Sequence, residues 1–316
     1  NIDMQMLKRL QVFILFYLAF FQTASADWKI HIYEGFSESL TIETEHLNTM
    51  LDHGDTLAIR AAKELLITSP DELSSLWARS NLVSVLIYFE KYEQADNQLL
   101  IIQDAIIGRD LGELRVYYML HSASVAHLQA EYSKSDSIYN SLANDEFAQN
   151  DRLKAILTKD QAHNLRYLGD YETSQIKWYK ALNQYQASND SVGIIQCLQG
   201  IGIIKFLVGD LQMAKEYFDI SHSFWQTRNN KKEEAFGYNL LGLWHYGKKD
   251  YTKSIDLCTK SYQIRQRNND LRGEGESLNN LALAYAGLEN WDQALKYFRL
   301  ALQKLILGKD LRQVPT

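Results

Sequence analysis

The sequence predicts an all-α protein, a solenoid of antiparallel helix pairs. Three observations carry that prediction. Two amphipathic runs separated by a short break recur at spacings of 39 or 40 residues. The breaks and linkers are rich in Gly, Asn and Asp, which stop and start helices. The whole chain holds 2 prolines against 46% apolar residues, as near-continuous helix requires.

The clearest copy runs from Leu278 to Leu302. Leu281, Ala282 and Tyr285 fall on one helical face, and Ala294, Phe298 and Ala301 on another. Gly287-Leu288-Glu289-Asn290-Trp291 breaks the two runs, so both faces are satisfied when the helices fold back on each other. Earlier copies keep the phase: Leu241, Gly242, His245 with Tyr251, Ser254, Cys258; then Ile201, Gly202, Lys205 with Leu211, Ala214, Phe218. Before those come Gln161, Ala162, Leu165 with Tyr171, Ser174, Trp178. The next are Ser122, Ala123, Ala126 with Tyr132, Ser135, Tyr139; the sixth is Leu82, Val83, Leu86 with Tyr92, Ala95, Leu99. Gly169-Asp170-Tyr171 and Gly209-Asp210-Leu211 share a turn signature, with Lys249-Asp250-Tyr251 as a variant. Linker residues Asp110, Asp151, Asp190, Asn230, Asp270 and Asp310 recur about one repeat apart.

The small position before the first helix's aromatic and the A-x3-F that follows resemble the tetratricopeptide (TPR) helix-turn-helix. The resemblance implies a right-handed superhelix of stacked pairs. At about 40 residues the copies are longer than the plain 34-residue motif. They resemble the kinesin-light-chain and G-protein-regulator branch, and the exported TPR regions of bacterial sensor kinases and transcription regulators. The expected organisation is a signal peptide over 1–26, a lead-in and degenerate capping helix pair over 27–69, six repeats over 70–308, and the start of a further repeat or a truncated tail over 309–316.

Residues 1–26 differ in kind. Lys8 and Arg9 precede an apolar run from Leu10 to Phe21, and Ala24-Ser25-Ala26 closes it, the layout of a secretory signal peptide cut after Ala26. The run is short of the roughly 20 residues a membrane span needs. Export to the periplasm or outside the cell is therefore expected. Trp28, Ile30 and Ile32 alternate as a short extended lead-in. Leu47, Met50 and Leu51, then Leu57, Ala61, Leu65 and Leu66, form the capping pair, split by His53-Gly54-Asp55. At the far end Lys309-Asp310-Leu311-Arg312 repeats Asn269-Asp270-Leu271-Arg272, which favours a chain cut there over a flank closed by a partner.

The formal net charge is −6, and removing residues 1–26, which carry two bases and one acid, makes it −7. A mildly acidic surface disfavours nucleic acid or anionic lipid as the main partner. Cys197 and Cys258 fall on different helices of neighbouring repeats and are read as buried single thiols.

No catalytic, cofactor or metal motif is found. There is no H-E-x-x-H, C-x-x-C, P-loop or G-x-S-x-G. Gly200-x-Gly202 lies inside a helical pattern and is read as a packing feature. The 8 His are scattered, with His245 read as a core substitute for the first-helix aromatic. Asn189-Asp190-Ser191 is read as repeat linker rather than a glycosylation site. An enzyme is not expected.

The TPR resemblance implies a ligand groove lined by each first helix, at four positions per repeat. These are Trp77, Ser80, Ser84 and Ile87; Tyr117, Leu120, Ser124 and His127; Ile156, Lys159, His163 and Arg166. The later copies give Gln196, Gln199, Ile203 and Phe206; Phe236, Asn239, Leu243 and Tyr246; and Glu276, Asn279, Leu283 and Ala286. Gln199, Asn239 and Asn279 share one position in three successive copies, an amide ladder suited to a peptide main chain. Tyr117, Phe206, Phe236 and Tyr246 suit apolar side chains, while Lys159 and Arg166, with His163 between them, make a positive spot for a carboxylate. The Lys and Asn cluster of chaperone-binding TPR domains is absent. The expected function is an exported, non-catalytic scaffold that binds a peptide or protein segment, as the sensory part of a larger signalling protein; the alternative is self-association through an open C-terminal flank.

Overall fold

The computed structural model describes residues 44–308, apart from 48, 52–56, 90, 110, 146 and 148–150. The signal-peptide reading, the extended lead-in, the 53–55 break and the 309–316 tail lie outside the described residues. Among the described residues the secondary structure is helical, with no strand.

The helices divide between two compact units, Ala24–Gly200 and Ile201–Thr316. The first holds α1 (Ala58–Thr68), α2 (Glu72–Tyr88), α3 (Tyr92–Ile106), α4 (Gly112–Leu128), α5 (Tyr132–Leu142), α6 (Asp151–Tyr167) and α7 (Tyr171–Ala187). The boundary between units falls within α8 (Ser191–Leu207). The second holds α9 (Leu211–Thr227), α10 (Lys231–Gly247), α11 (Tyr251–Arg267), α12 (Leu271–Gly287) and α13 (Trp291–Gly308). Residues 44–47 and 49–51 are also helical, and Leu47 and Leu51 are buried with α1 in the first unit's core.

Each unit is a stack of helix pairs. In the first, α2 packs on α3, α4 on α5 and α6 on α7; in the second, α10 packs on α11 and α12 on α13. Turns of a few residues leave the partners no direction but antiparallel. The repeated small–large motif is what closes each pair. Ala95, Ser135, Ser174, Ala214, Ser254 and Ala294 are all buried. So are Leu99, Tyr139, Trp178, Phe218, Cys258 and Phe298, four residues on. At one of the three Ser positions the hydroxyl finds a carbonyl on the facing helix: Ser174 Oγ donates to Ala162 O at 2.6 Å.

The turns explain the periodicity of Gly, Asn and Asp. Positive φ recurs within pairs at Ala130, Gly169, Gly209, Lys249 and Glu289, and between pairs at Asn189, Asn229 and Asn269. Gly and Asn adopt this left-handed conformation at least cost, and it ends each helix with a Schellman bond, such as Asp210 N–H to Lys205 O at 2.8 Å. The next residue then caps the following helix. The side chains of Asp170, Asp210, Asp250 and Asp270, like those of Asn230 and Asn290, each accept from a backbone N–H three residues on.

Gly200 and Gly202 are packing residues. A Cβ on Gly200 would stand 2.4 Å from the Trp178 ring, and one on Gly202 would stand 2.8 Å from that of Phe218. Cys197 and Cys258 are buried free thiols, and burial pushes the Cys258 thiol up to about 12.

Candidate functional site on the first-helix faces

The positions assigned to the groove lie on α2, α4, α6, α8, α10 and α12. In the Ala24–Gly200 unit all of them are buried. Neighbouring first helices reach each other through these side chains. Trp77 on α2 meets Tyr117 on α4 edge-on at 5.5 Å. Ser80 and Ser84 on α2 approach His121 Nε2 on α4 at 3.1 and 3.4 Å.

His127 on α4 sits edge-on to His163 on α6 at 5.0 Å, and its Nδ1 is 2.9 Å from Asn164 Oδ1. Asn164 in turn donates to Tyr132 O at 2.8 Å, so that Asn holds the imidazole in place. Lys159 on α6 is fully buried; its Nζ donates to Gln196 Oε1 on α8 at 3.2 Å and lies 3.5 Å from Asp160 Oδ1. Arg166, also buried, lies over the Tyr167 ring at 4.1 Å. Gln199 is 1% exposed, and both its amide oxygen and nitrogen are buried without a hydrogen-bond partner.

In the Ile201–Thr316 unit the same positions are apolar or amide-bearing, apart from Glu276. Asn239 and Asn279 are buried one repeat apart, and Asn239 Oδ1 has no hydrogen-bond partner. Around them stand Ile203 and Leu283, both buried, with Leu243 and Ala286 half-buried. Phe206 and Phe236 are half-buried against the core of this unit, and Tyr246 tilts against Tyr251 at 5.7 Å. Burial pushes the Tyr246 hydroxyl up, so it stays protonated. Glu276 on this face is held by Arg265 at 2.8 Å.

The structure thus brings Lys159 and Gln196 together in the first unit, and buries Asn239 and Asn279 one repeat apart in the second. It gives the aromatic positions a share in helix packing: Tyr117 is buried against Trp77, and Tyr246 leans on its own pair. His245 is half-buried rather than in the core, with Nδ1 3.2 Å from Asp250 Oδ2.

The Ser80–His121 contact went unread in the sequence, since a one-repeat register does not align the two residues. Burial holds His121 down to about 4, so the ring is neutral near pH 7 and a poor match for the pKa a general base wants there. Among the described residues no group of three or more His, Cys, Asp or Glu is placed to hold a metal ion, and no helix is long and apolar enough to cross a membrane.

The tetratricopeptide-repeat family profile matches residues 233–305. No curated protein matches the sequence. Among solved structures, a Rap protein complexed with competence and sporulation factor is similar, with a TM-score of 0.69 at 14% identity, over 86% of this chain and 78% of that one. NprR in complex with its cognate peptide NprX aligns with a TM-score of 0.63 at 15% identity, over 87% and 84% of the two chains. The hetero-tetramer Cut9–Hcn1 of the APC/C aligns with a TM-score of 0.62 at 15% identity, over 88% of this chain and 48% of that one. At such identities the likeness is one of fold.

Proposed function

Because the chain is a TPR-type repeat protein, we propose that it is an exported, non-catalytic scaffold whose first-helix faces bind an extended peptide or protein segment. The observation that carries this reading is the buried amide of Asn239, whose oxygen has no partner, in register with Asn279 one repeat on. A buried acceptor left unpaired costs about 1–3 kcal/mol. A ligand's main-chain N–H removes that cost, and the amide's NH2 then meets a ligand carbonyl. Two of the similar structures are of proteins in complex, one with competence and sporulation factor and one with its cognate peptide, which supports the same use of this fold. Fold by itself does not set function, so the amides bear the weight. Export rests on residues 1–26 and is checked by N-terminal sequencing of the secreted product, with a start at Asp27 expected. A role as the sensory part of a signalling protein is the accompanying proposal.

Asn239→Ala combined with Asn279→Ala should weaken a captured peptide by about 1–3 kcal/mol if both amides pair with its main chain. Unchanged affinity removes the amides from the account.

A second reading is favoured by α13, where Leu302, Ile306 and Leu307 are 46%, 40% and 49% exposed. Self-association through this helix would cover them. Sedimentation of the full chain tests it: a monomer at micromolar concentration rules it out, and a dimer lost on Ile306→Lys supports it.

A further inference from the structure

We propose that the edge of the Ile201–Thr316 unit formed by Trp244 and the turn Lys248-Lys249 is a docking surface for an acidic protein segment with an apolar side chain between its carboxylates. The inference goes beyond the groove reading, since none of these residues is a groove position.

One repeat departs from its neighbours twice at this place. Ile204 and Ala284, which stand one repeat before and one repeat after Trp244, are both 0% exposed. Trp244 is only half-buried, its Nε1 donating to Leu211 O at 2.6 Å. Part of a large ring is thus left outside where smaller side chains are wholly enclosed. The turn that follows α10 reads Lys248-Lys249, both exposed, against Val208-Gly209 one repeat earlier and Leu288-Glu289 one repeat later.

Charge and apolar surface meet there. Lys215 Nζ on α9 and Lys248 Nζ stand over the Trp244 ring, 5.5 and 5.8 Å from its centroid. The turn between α8 and α9 adjoins them: a Cβ on Gly247 would lie 3.8 Å from Leu211 Cδ2. That turn carries Val208, 55% exposed. The local carboxylates are already engaged. Asp219 holds Lys215 at 2.5 Å, Asp210 lies 3.8 Å from Lys205, and Asp250 faces His245. Among the described residues Lys248 and Lys249 have no ion-pair partner.

Ammonium groups beside an aromatic ring, with apolar surface next to them, fit carboxylates that flank an apolar side chain. A uniform polyanion fits less well, because Asp210, Asp219 and Asp250 sit among the lysines and repel a run of phosphates. That favours a protein segment over nucleic acid or anionic lipid.

The test titrates the full chain with acetyl-Glu-Glu-Leu-Leu-Glu-Glu-amide and follows binding by calorimetry. At low salt this peptide should bind about tenfold more tightly than its Gln-for-Glu form, a gap that closes as salt is raised to about 0.3 M. Replacing its two Leu by Ser should also weaken it. Lys248→Glu with Lys249→Glu should cost about tenfold in affinity and leave melting unchanged, since both side chains are exposed. Lys63→Glu with Lys180→Glu, exposed lysines of the other unit, alters net charge equally and should keep affinity within about twofold.

Equal binding of the Glu and Gln peptides, or no binding of either, overturns the surface. Affinity unchanged in Lys248→Glu with Lys249→Glu overturns it too, by placing the peptide elsewhere. Equal losses in the two double variants make net charge the cause and overturn it likewise. Indifference to Ser in place of Leu removes Trp244 from the surface. Tighter binding of oligothymidylate or phosphatidylserine vesicles than of the peptide overturns the choice of partner.

Discussion

The two units build the same helix pair with different thoroughness. In Ile201–Thr316 the caps are uniform: Asp210, Asn230, Asp250, Asp270 and Asn290 each hold a backbone N–H three residues on. In Ala24–Gly200 the caps of α3, α4 and α5 are Lys91, Leu111 and Glu131, none of which makes a side-chain cap bond. Yet the buried small–large pairs are as complete there as in the second unit. Core spacing therefore specifies the pair, and cap chemistry decides how regular its ends are. The first-helix faces differ too. One carries a buried ammonium, imidazoles and glutamines; the other carries asparagines among apolar side chains, with its carboxylates held by bases such as Arg265 and Lys304.

The comparison breaks most readily at the core. Trp178→Ala in the first unit and Phe218→Ala in the second should each cost about 3–5 kcal/mol in urea-induced unfolding, since each fills the gap over a glycine. Costs below about 1 kcal/mol in one unit only would mean that its pairs close by other means. Smaller, but in the same place, Gly200→Ala should cost about 1–3 kcal/mol through overpacking on Trp178.

Acid sharpens it next. His121 in one unit and His222 in the other are both held below the ordinary imidazole value by burial, His121 down to about 4. For His222 the carboxylates of Glu234 and Asp219 offset part of that push. A lowered folded-state value means the folded chain binds protons less well than the unfolded one. The stability tied to neutral rings is therefore whole above about pH 6.5, the free-imidazole value, and drains as pH falls, for His121 down to about 4. Urea midpoints at pH 7, 5.5 and 4.5 should fall steadily for the unaltered chain and less steeply for His121→Gln. Equal slopes would show that His121 is not a source of the loss.

Capping gives a finer contrast. Asp250→Ala should cost about 1 kcal/mol, while Lys91→Asp should gain up to about 1 kcal/mol by supplying the missing acceptor. No gain from the second would place the irregular end of α3 outside cap control. The smallest effect is expected at the surface: Arg60→Ala removes an ion pair with Glu64 whose side chains are 80% and 59% exposed, and should shift stability by less than about 0.5 kcal/mol.

Much of this was legible in the residues. The small–large pairs were placed in phase because burial demands a fixed helical period, and Gly169, Gly209 and Asn269 marked their turns because few residues tolerate positive φ. The family profile matches residues 233–305, the last two copies. What the sequence concealed was contact between repeats. Ser80 with His121, His127 with Asn164 and Lys159 with Gln196 pair across neighbouring first helices, and no single-helix pattern reports such pairings. Nor did composition show that Tyr117 and Tyr246 serve packing, since an aromatic at a face position looks the same whether it meets a ligand or a neighbour.

The central claim is that side-chain amides on the first helices read a peptide's main chain. Its most direct test is to take a hexapeptide captured by the full chain and methylate its backbone nitrogens one at a time. The account predicts that at least one or two methylations each lower affinity about tenfold, the loss of one hydrogen bond left unpaired, and that Asn239→Ala abolishes the sensitivity at one of them. Affinity indifferent to every methylation would contradict it.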